Sequence, residues 1–270
     1  MTAQTYSFED FANQEWYRNL NVRLVDLAGL KPGQRIIDLA CGPGSVTKVI
    51  VEKVKGARNT VVIGVDMSAA ALKQAREELS TRTGAVVQFV EGRAEELSKI
   101  VREKVDAVVC CNAIHMLEDK DRVVAEVSRS LAPGGAFAFN TAFFNGTQAP
   151  ETEQFYRRWM LRALRILKAE GLSPTKEKVM ARQTLTPEQY EELLERHGFK
   201  VQTKELQPVG VPLEGWQDIS SFEDFAQGAL PGIPVDKASQ VLRDAVAQVF
   251  QEFELTVVPR YWLAMVAVRQ

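Results

Sequence analysis

Cysteine is scarce in this 270-residue chain, at three residues (Cys41, Cys110 and Cys111), two of them adjacent. That excludes a disulfide scaffold and suits a reducing compartment. A charge excess is lacking too. Thirty-three Lys and Arg stand against 35 Asp and Glu, a formal charge of −2 with a pI near 5.9, which gives no general attraction to nucleic acid or to an anionic membrane. No apolar run approaches the roughly 20 residues that span a bilayer. The opening MTAQTYSFEDFANQEW carries acids and no apolar stretch, unlike a secretory leader. These absences lead to the expectation of a cytoplasmic protein with no membrane insertion and no nucleic-acid partner. What is present is ordinary for a soluble globular chain, with 46% hydrophobic and 25% charged residues. The length fits one elaborated domain or two small ones.

The apolar pattern predicts two helices in the first 30 residues, then a break at Lys31-Pro32-Gly33. From there short apolar runs alternate with amphipathic ones. RIIDLA (35–40), TVVIGVD (60–66), VVQFVEG (86–92), VDAVVCCN (105–112) and GAFAFNTAFF (135–144) read as buried strands. Helices are expected over VTKVIVEKV, from a Ser68 cap to about residue 80, and around 94–102 and 119–131. Continuous apolar strands separated by helices imply a parallel sheet covered on both faces. After residue 145 the rhythm changes. A long helix is expected over 151–170, a second behind Thr186-Pro187 with Gln189 at the capping-box position, and a stop at His197-Gly198. FKVQTKEL (199–206) and YWLAMVAVR (261–269) read as strands, and 235–253 as a helix with one apolar stripe.

Ile36-Ile37-Asp38-Leu39-Ala40-Cys41-Gly42-Pro43-Gly44-Ser45 is the most informative segment. A Gly-x-Gly turn between strand and helix lets a ligand approach bare backbone. Asp66 ends the next strand, 24 residues after Gly42, where a carboxylate can accept both hydroxyls of a ribose. A dinucleotide fingerprint asks for a third small residue, and Thr47 stands there. Asp38 would repel a pyrophosphate yet suits a ligand with ammonium and sulfonium charges, so S-adenosylmethionine (SAM) fits and NAD fits poorly.

IIDLACGPGS, VVIGVDMSAAAL, VDAVVCCNAIHML and LAPGGAFAF resemble the motifs of class I SAM-dependent methyltransferases, closest to the ubiquinone/menaquinone-biosynthesis type that acts on small molecules. The resemblance implies an α/β fold, a doubly wound, mostly parallel seven-stranded Rossmann-like sheet with an antiparallel last strand and helical lid insertions. It implies a single domain over 1–270, with lid helices in 1–30, a SAM-binding core in 31–145 and substrate-lid insertions in 146–185 and 207–255. Segments 186–206 and 256–270 would complete the sheet. By position, Gly42 and Gly44 would pass under the methionine moiety, Asp38 would hold its amino end, and Ala40 would supply the small residue usually filled by glycine. Asp66 would bind the ribose, and Met67 would lie against the adenine. Arg93 stands where relatives carry an acid, which shifts the adenine contact to the Ala94 backbone aided by Glu95. Asn112 and Ala113 would line the methionine end.

His115 follows the fourth strand, where an imidazole can serve as a general base or can simply position the substrate. Tyr17 and Tyr156 are the further candidates for orienting or activating an acceptor. His197 ends a surface helix, where a cation suits the helix dipole. Cys110 and Cys111 point to opposite faces of their strand and read as core. The run Cys-Cys-Asn-Ala offers no acidic ligands after the fourth strand, so no metal is expected. Arg158, Arg162 and Arg165 share one helical face, either solvated or a clamp for a substrate anion. The expected activity is methyl transfer from SAM, leaving S-adenosylhomocysteine, to an oxygen or carbon of a small, apolar or aromatic molecule, with a homodimer left open. The alternatives are a SAM-binding protein of this fold that catalyses cyclisation or regulates without turnover, and, more remotely, an NAD-dependent oxidoreductase.

Overall fold

Strand β1 (Arg35–Leu39) pairs in parallel with β2 (Val61–Asp66) on one side and β4 (Val105–Cys111) on the other. β3 (Val86–Glu91) extends the β2 side and β5 (Leu131–Thr141) the β4 side, both in parallel. β7 (Val257–Arg269) then lies antiparallel to β5, with β6 (Phe199–Pro212) beyond it at the edge. The order β3-β2-β1-β4-β5-β7-β6 is the doubly wound sheet with an antiparallel last strand. Its winding reverses between β1 and β4, the place in such sheets where a crevice opens at the strands' carboxyl ends. The computed structural model describes residues 14–57, 59–79, 85–175 and 184–270.

By contacts the chain forms two units. The larger comprises Tyr17–Asn145, Leu185–Gln207 and Trp262–Gln270; the smaller takes in Gly146–Thr184, Pro208–Tyr261 and the segment ending at Trp16. In the larger unit, α1 (Glu15–Leu27, of which Glu15 and Trp16 fall to the smaller unit) is the one helix described before residue 30; the other half of that predicted pair lies outside the described residues. Leu24 and Val25 of α1 and Ile50 and Val51 of α2 (Ser45–Lys53) pack with Ile36, Val62, Val109 and Ala138 of the strands into one apolar cluster. α3 (Ala69–Leu79) starts where the Ser68 hydroxyl accepts the Ala71 N–H at 3.2 Å. A short helix, α4 (Leu97–Ile100), follows β3. α5 (Lys120–Ser130) starts on Asp119, whose carboxylate accepts the Arg122 N–H at 2.9 Å. α7 (Pro187–Arg196) carries the capping box that the sequence indicates, with the Thr186 and Gln189 side chains each bonding the other's backbone. It stops before Gly198 at φ 79°, a backbone angle that glycine adopts without steric cost.

In the smaller unit, α6 (Glu153–Ala169) buries Phe155, Trp159, Ala163 and Leu167 at four-residue steps, one face of a helix. α10 (Val235–Glu252) answers with a stripe from Ala238 to Phe250. Trp159 is fully buried, donates its indole N–H to Leu242 O at 2.9 Å and meets Trp216 edge-on, its ring centroid 5.5 Å away. A buried aromatic of this size contributes roughly 1.5–3 kcal/mol, and the hydrogen bond removes the cost of burying its polar edge. Trp216 lies on α8 (Leu213–Ser221), and Phe225, stacked on Trp159, on α9 (Glu223–Ala229).

Candidate active site

The chain leaves β1 through a left-handed Ala40 (φ 57°), then Gly42 (φ 51°) and Gly44 (φ 87°). The alanine accepts a conformation that costs an L-residue roughly 1–2 kcal/mol. A side chain added at Gly44 would sit 3.1 Å from Leu79 and 3.2 Å from Ala75, whereas at Gly42 it would meet nothing within 4 Å. Gly44 therefore lets α2 approach α3, and Gly42 keeps a bare backbone edge. The Cys41 N–H reaches Val65 O at 3.2 Å, tying the loop to the end of β2.

Asp66 organises the tips of three strands. Its Oδ2 accepts the Gly42 N–H and its Oδ1 the Ser68 N–H, each at 2.8 Å. Its carbonyl accepts the Gly92 N–H at 2.9 Å. The next side chain, Met67, is 67% exposed. Beyond β3, Arg93 forms an ion pair with Glu95 at 3.5 Å, and Ala94, buried, opens a short 3-10 turn.

Asp38 is wholly buried. Its Oδ2 accepts the Thr47 hydroxyl at 2.6 Å, while Oδ1 has no hydrogen-bond partner. Burial raises the carboxyl to about 7, with the neighbouring Asp66 adding to the rise and Thr47 opposing it. An unsatisfied buried acid beside a glycine loop is chemically suited to a cation.

The chain leaves β4 through Asn112, again left-handed at φ 45°. The Asn112 N–H is shared between Asn140 Oδ1 (2.7 Å) and Asn140 O (3.0 Å), and its own Oδ1 accepts the Ala142 N–H at 3.0 Å. Asn140 continues to Asn21 Oδ1 at 3.3 Å. The Tyr17 hydroxyl bonds the side chains of Asn21 and Asn112, and burial holds this phenol above its ordinary range. Tyr17 thus belongs to a buried amide network under the Asn112-Ala113 turn. His115 stands on the following 3-10 turn, half-buried, with Nδ1 3.0 Å from Thr141 Oγ1 and its ring against Phe143 at 4.6 Å.

Asp38, Ala40, Gly42, Gly44, Asp66, Met67, Arg93, Ala94, Asn112, Ala113, His115 and Tyr17 all belong to the larger unit. Tyr156 belongs to the smaller one. Its hydroxyl is buried without a partner, and burial raises its pKa while Arg260 pulls it down. Arg158 and Arg162 both pair with Glu252, at 3.3 and 2.8 Å. His197 Nε2 lies 3.0 Å from Asp121. Cys41 and Cys110 are buried and Cys111 is half-buried, and burial holds all three thiols well above their ordinary range, Cys110 at about 12. Among the described residues no group of three or more His, Cys, Asp or Glu side chains is arranged to hold a metal ion, and no helix is long and apolar enough to cross a membrane. Asn21, Asn140 and Thr141 escaped the sequence reading, and Thr47 entered it only as a departure from the dinucleotide pattern, although a polar residue inside an apolar run such as FAFNT is a usable signal.

A methyltransferase-domain family matches residues 30–198, more than half of the chain. The chain belongs to that family. This methyltransferase domain is similar to the ubiquinone biosynthesis O-methyltransferase of Hahella chejuensis, 27% identical over 150 residues, covering 52% of this chain and 60% of that protein. The chain thus spans about 60% of the length of the curated relatives it matches. In fold it is similar to a candidate methyltransferase from Bacillus halodurans C-125, with a TM-score of 0.58 at 20% identity over 92% of this chain and 97% of that one. It is also similar to the [4+2]-cyclase SpnF, with a TM-score of 0.56 at 17% identity over 93% of this chain and 81% of that one.

Proposed function

We propose that the protein transfers a methyl group from SAM to an oxygen or carbon of a small, largely apolar or aromatic molecule. The observation that carries this reading is the unpartnered, buried Oδ1 of Asp38 beside the Gly42–Gly44 loop, at the point where the sheet's winding reverses. Asp38 would hold the ligand's ammonium, the Gly42 backbone would run beneath its methionine end, and Asp66 would take the ribose hydroxyls. Exposed Met67 would cover one adenine face, the Ala94 backbone with Arg93 and Glu95 would meet its edge, and Asn112 and Ala113 would close the methionine end. When bound, SAM supplies an electrophilic methyl whose leaving group is a neutral thioether.

The chain's own task is then to exclude water, orient the acceptor and remove its proton where one must leave. His115 is the side chain suited to the last step, on a turn next to Asn112-Ala113. An oxygen acceptor accords with the O-methyltransferase name carried by the relatives. Calorimetry with SAM tests the first half of the proposal. Incubation with methyl-labelled SAM and a metabolite extract tests the second. Label in a small apolar product supports transfer, and tight binding without transferred label overturns it in favour of another chemistry on the same fold.

A further inference from the structure

We infer that Thr47 is a positioning residue for ligand capture: its hydroxyl occupies Oδ2 of Asp38 and reserves Oδ1 of the same carboxylate, ionised, for the ligand's ammonium. The inference rests on the reading of Asp38 as the ammonium's partner and goes one step deeper, to the group that makes the acid ready for it.

Both residues are fully buried, and the Thr47 hydroxyl lies 2.6 Å from Oδ2. An ionised carboxylate can only accept hydrogen bonds, so in that state the threonine must donate. A hydroxyl has one hydrogen to give. Oδ2 takes it, and Oδ1 stays without a hydrogen-bond partner. A site built only to quiet a buried acid would satisfy both oxygens or carry a neutral residue. Half-satisfaction leaves one oxygen open to a donor from outside. The bond also spans the Ala40–Gly44 loop, so the acid's orientation and the loop's are set together.

The same bond acts on the acid's proton. Burial and Asp66, at the end of β2, favour the protonated form, whereas Thr47, through its hydroxyl and its backbone N–H, favours the charged one. The other ionisable groups that act on Asp38 are Cys41 in the loop and Cys110 and Cys111 of β4, and a thiol has no positively charged form to offer. Thr47 is therefore what keeps the carboxylate available. Its neighbours point the same way. The other buried side chains of α2 are Val46, Ile50 and Val51, an apolar face on which a valine of the same shape would serve for packing alone. What valine lacks is the hydrogen aimed at Asp38.

The test reads the acid first, without ligand. Carbon-13 NMR of the full chain, labelled at the aspartate carboxyls, follows Asp38 through pH, with Asp38→Asn identifying its signal. Thr47→Val, which keeps the backbone N–H and removes only the hydroxyl, should move the Asp38 midpoint up by about one pH unit or more, the size expected when an ionised group loses a hydrogen bond. Thr47→Ser should restore the wild-type midpoint. Calorimetry with SAM on the same samples should show Thr47→Val binding about five- to tenfold more weakly than wild type near pH 6.5, with the ratio falling toward one by about pH 8.5, where the acid is ionised in both. The ligand's own amino group titrates alike in the two measurements and cancels in the ratio. An unmoved midpoint in Thr47→Val overturns the inference. A ratio that stays constant across the pH range also overturns it, since a merely structural loss would give that result. If the valine variant does not fold, Thr47→Ala measured in the same way decides. A shifted midpoint in a chain that does not bind SAM leaves the hold of Thr47 on the acid and removes the SAM reading; SAM binding with an unmoved midpoint removes only the role of Thr47.

Discussion

The Thr47 hydroxyl donates to Oδ2 of Asp38 at 2.6 Å, and Oδ1 of the same carboxylate, equally buried, takes no hydrogen bond. The carboxyl is held near 7 by its burial, above an unfolded value of about 3.9. Between those two pH values the folded chain keeps a proton that the unfolded chain has released. Stability without ligand should therefore fall as pH rises from about 4 to 7, by at most about 1.4 kcal/mol per pH unit from this one group. Urea unfolding of Asp38→Asn should lack that slope. SAM affinity should move the other way, rising from pH 6 to 8 as the carboxylate ionises, and the asparagine variant should bind weakly with no such rise. Parallel pH curves for the two proteins would remove Asp38 from the ammonium site.

Asp66 joins the Gly42 and Ser68 amides, so its loss should be felt in the loop as well as in the ligand. Asp66→Ala should weaken SAM binding by about 1–3 kcal/mol, with a smaller loss for Asp66→Asn, which keeps one acceptor oxygen. Unchanged affinity by calorimetry would count against the ribose assignment.

The two loop glycines should respond differently to alanine. Gly44→Ala meets both an unfavourable φ and the Leu79 and Ala75 side chains, whereas Gly42→Ala meets only the φ. Chemical denaturation should show Gly42→Ala costing about 1–2 kcal/mol from backbone strain and Gly44→Ala costing more. Equal losses would mean that the approach of α2 to α3 tolerates a methyl group.

Asn140 and Asn21 form one hydrogen-bonded unit beneath Asn112. Asn140→Ala should destabilise by about 1–3 kcal/mol, because it strands buried polar atoms. Asn21→Ala added to it should cost less than it does alone, a non-additivity that a double-mutant cycle in urea reads directly.

The strand–helix alternation and the glycine loop were legible because their signals are local. A short apolar run, a Gly-x-Gly turn and the Thr186–Gln189 box each lie within a few residues of sequence. β6 was legible only as far as Leu206, because Gln207-Pro208-Val209-Gly210 reads as a loop. The strand continues to Pro212 because it lies at the sheet's edge, where a missing N–H leaves no neighbour unsatisfied. β5 and β7 likewise begin four residues before their apolar runs suggest. The partners of the site residues were harder to see. Asn140 meets Asn21 from 119 positions away, and Thr141 meets His115 from 26. Such pairs are created by strand order, which no single stretch of sequence states.

Cys41 and Cys110, closed off from water and held far from ionisation, are poor targets for alkylating reagents in the folded chain, since only the thiolate attacks them. Modification must then wait for the sheet to open. The rate at which iodoacetamide consumes these side chains becomes a built-in clock for rare unfolding excursions, and a bound ligand that slows the clock registers its own affinity without a label of any kind.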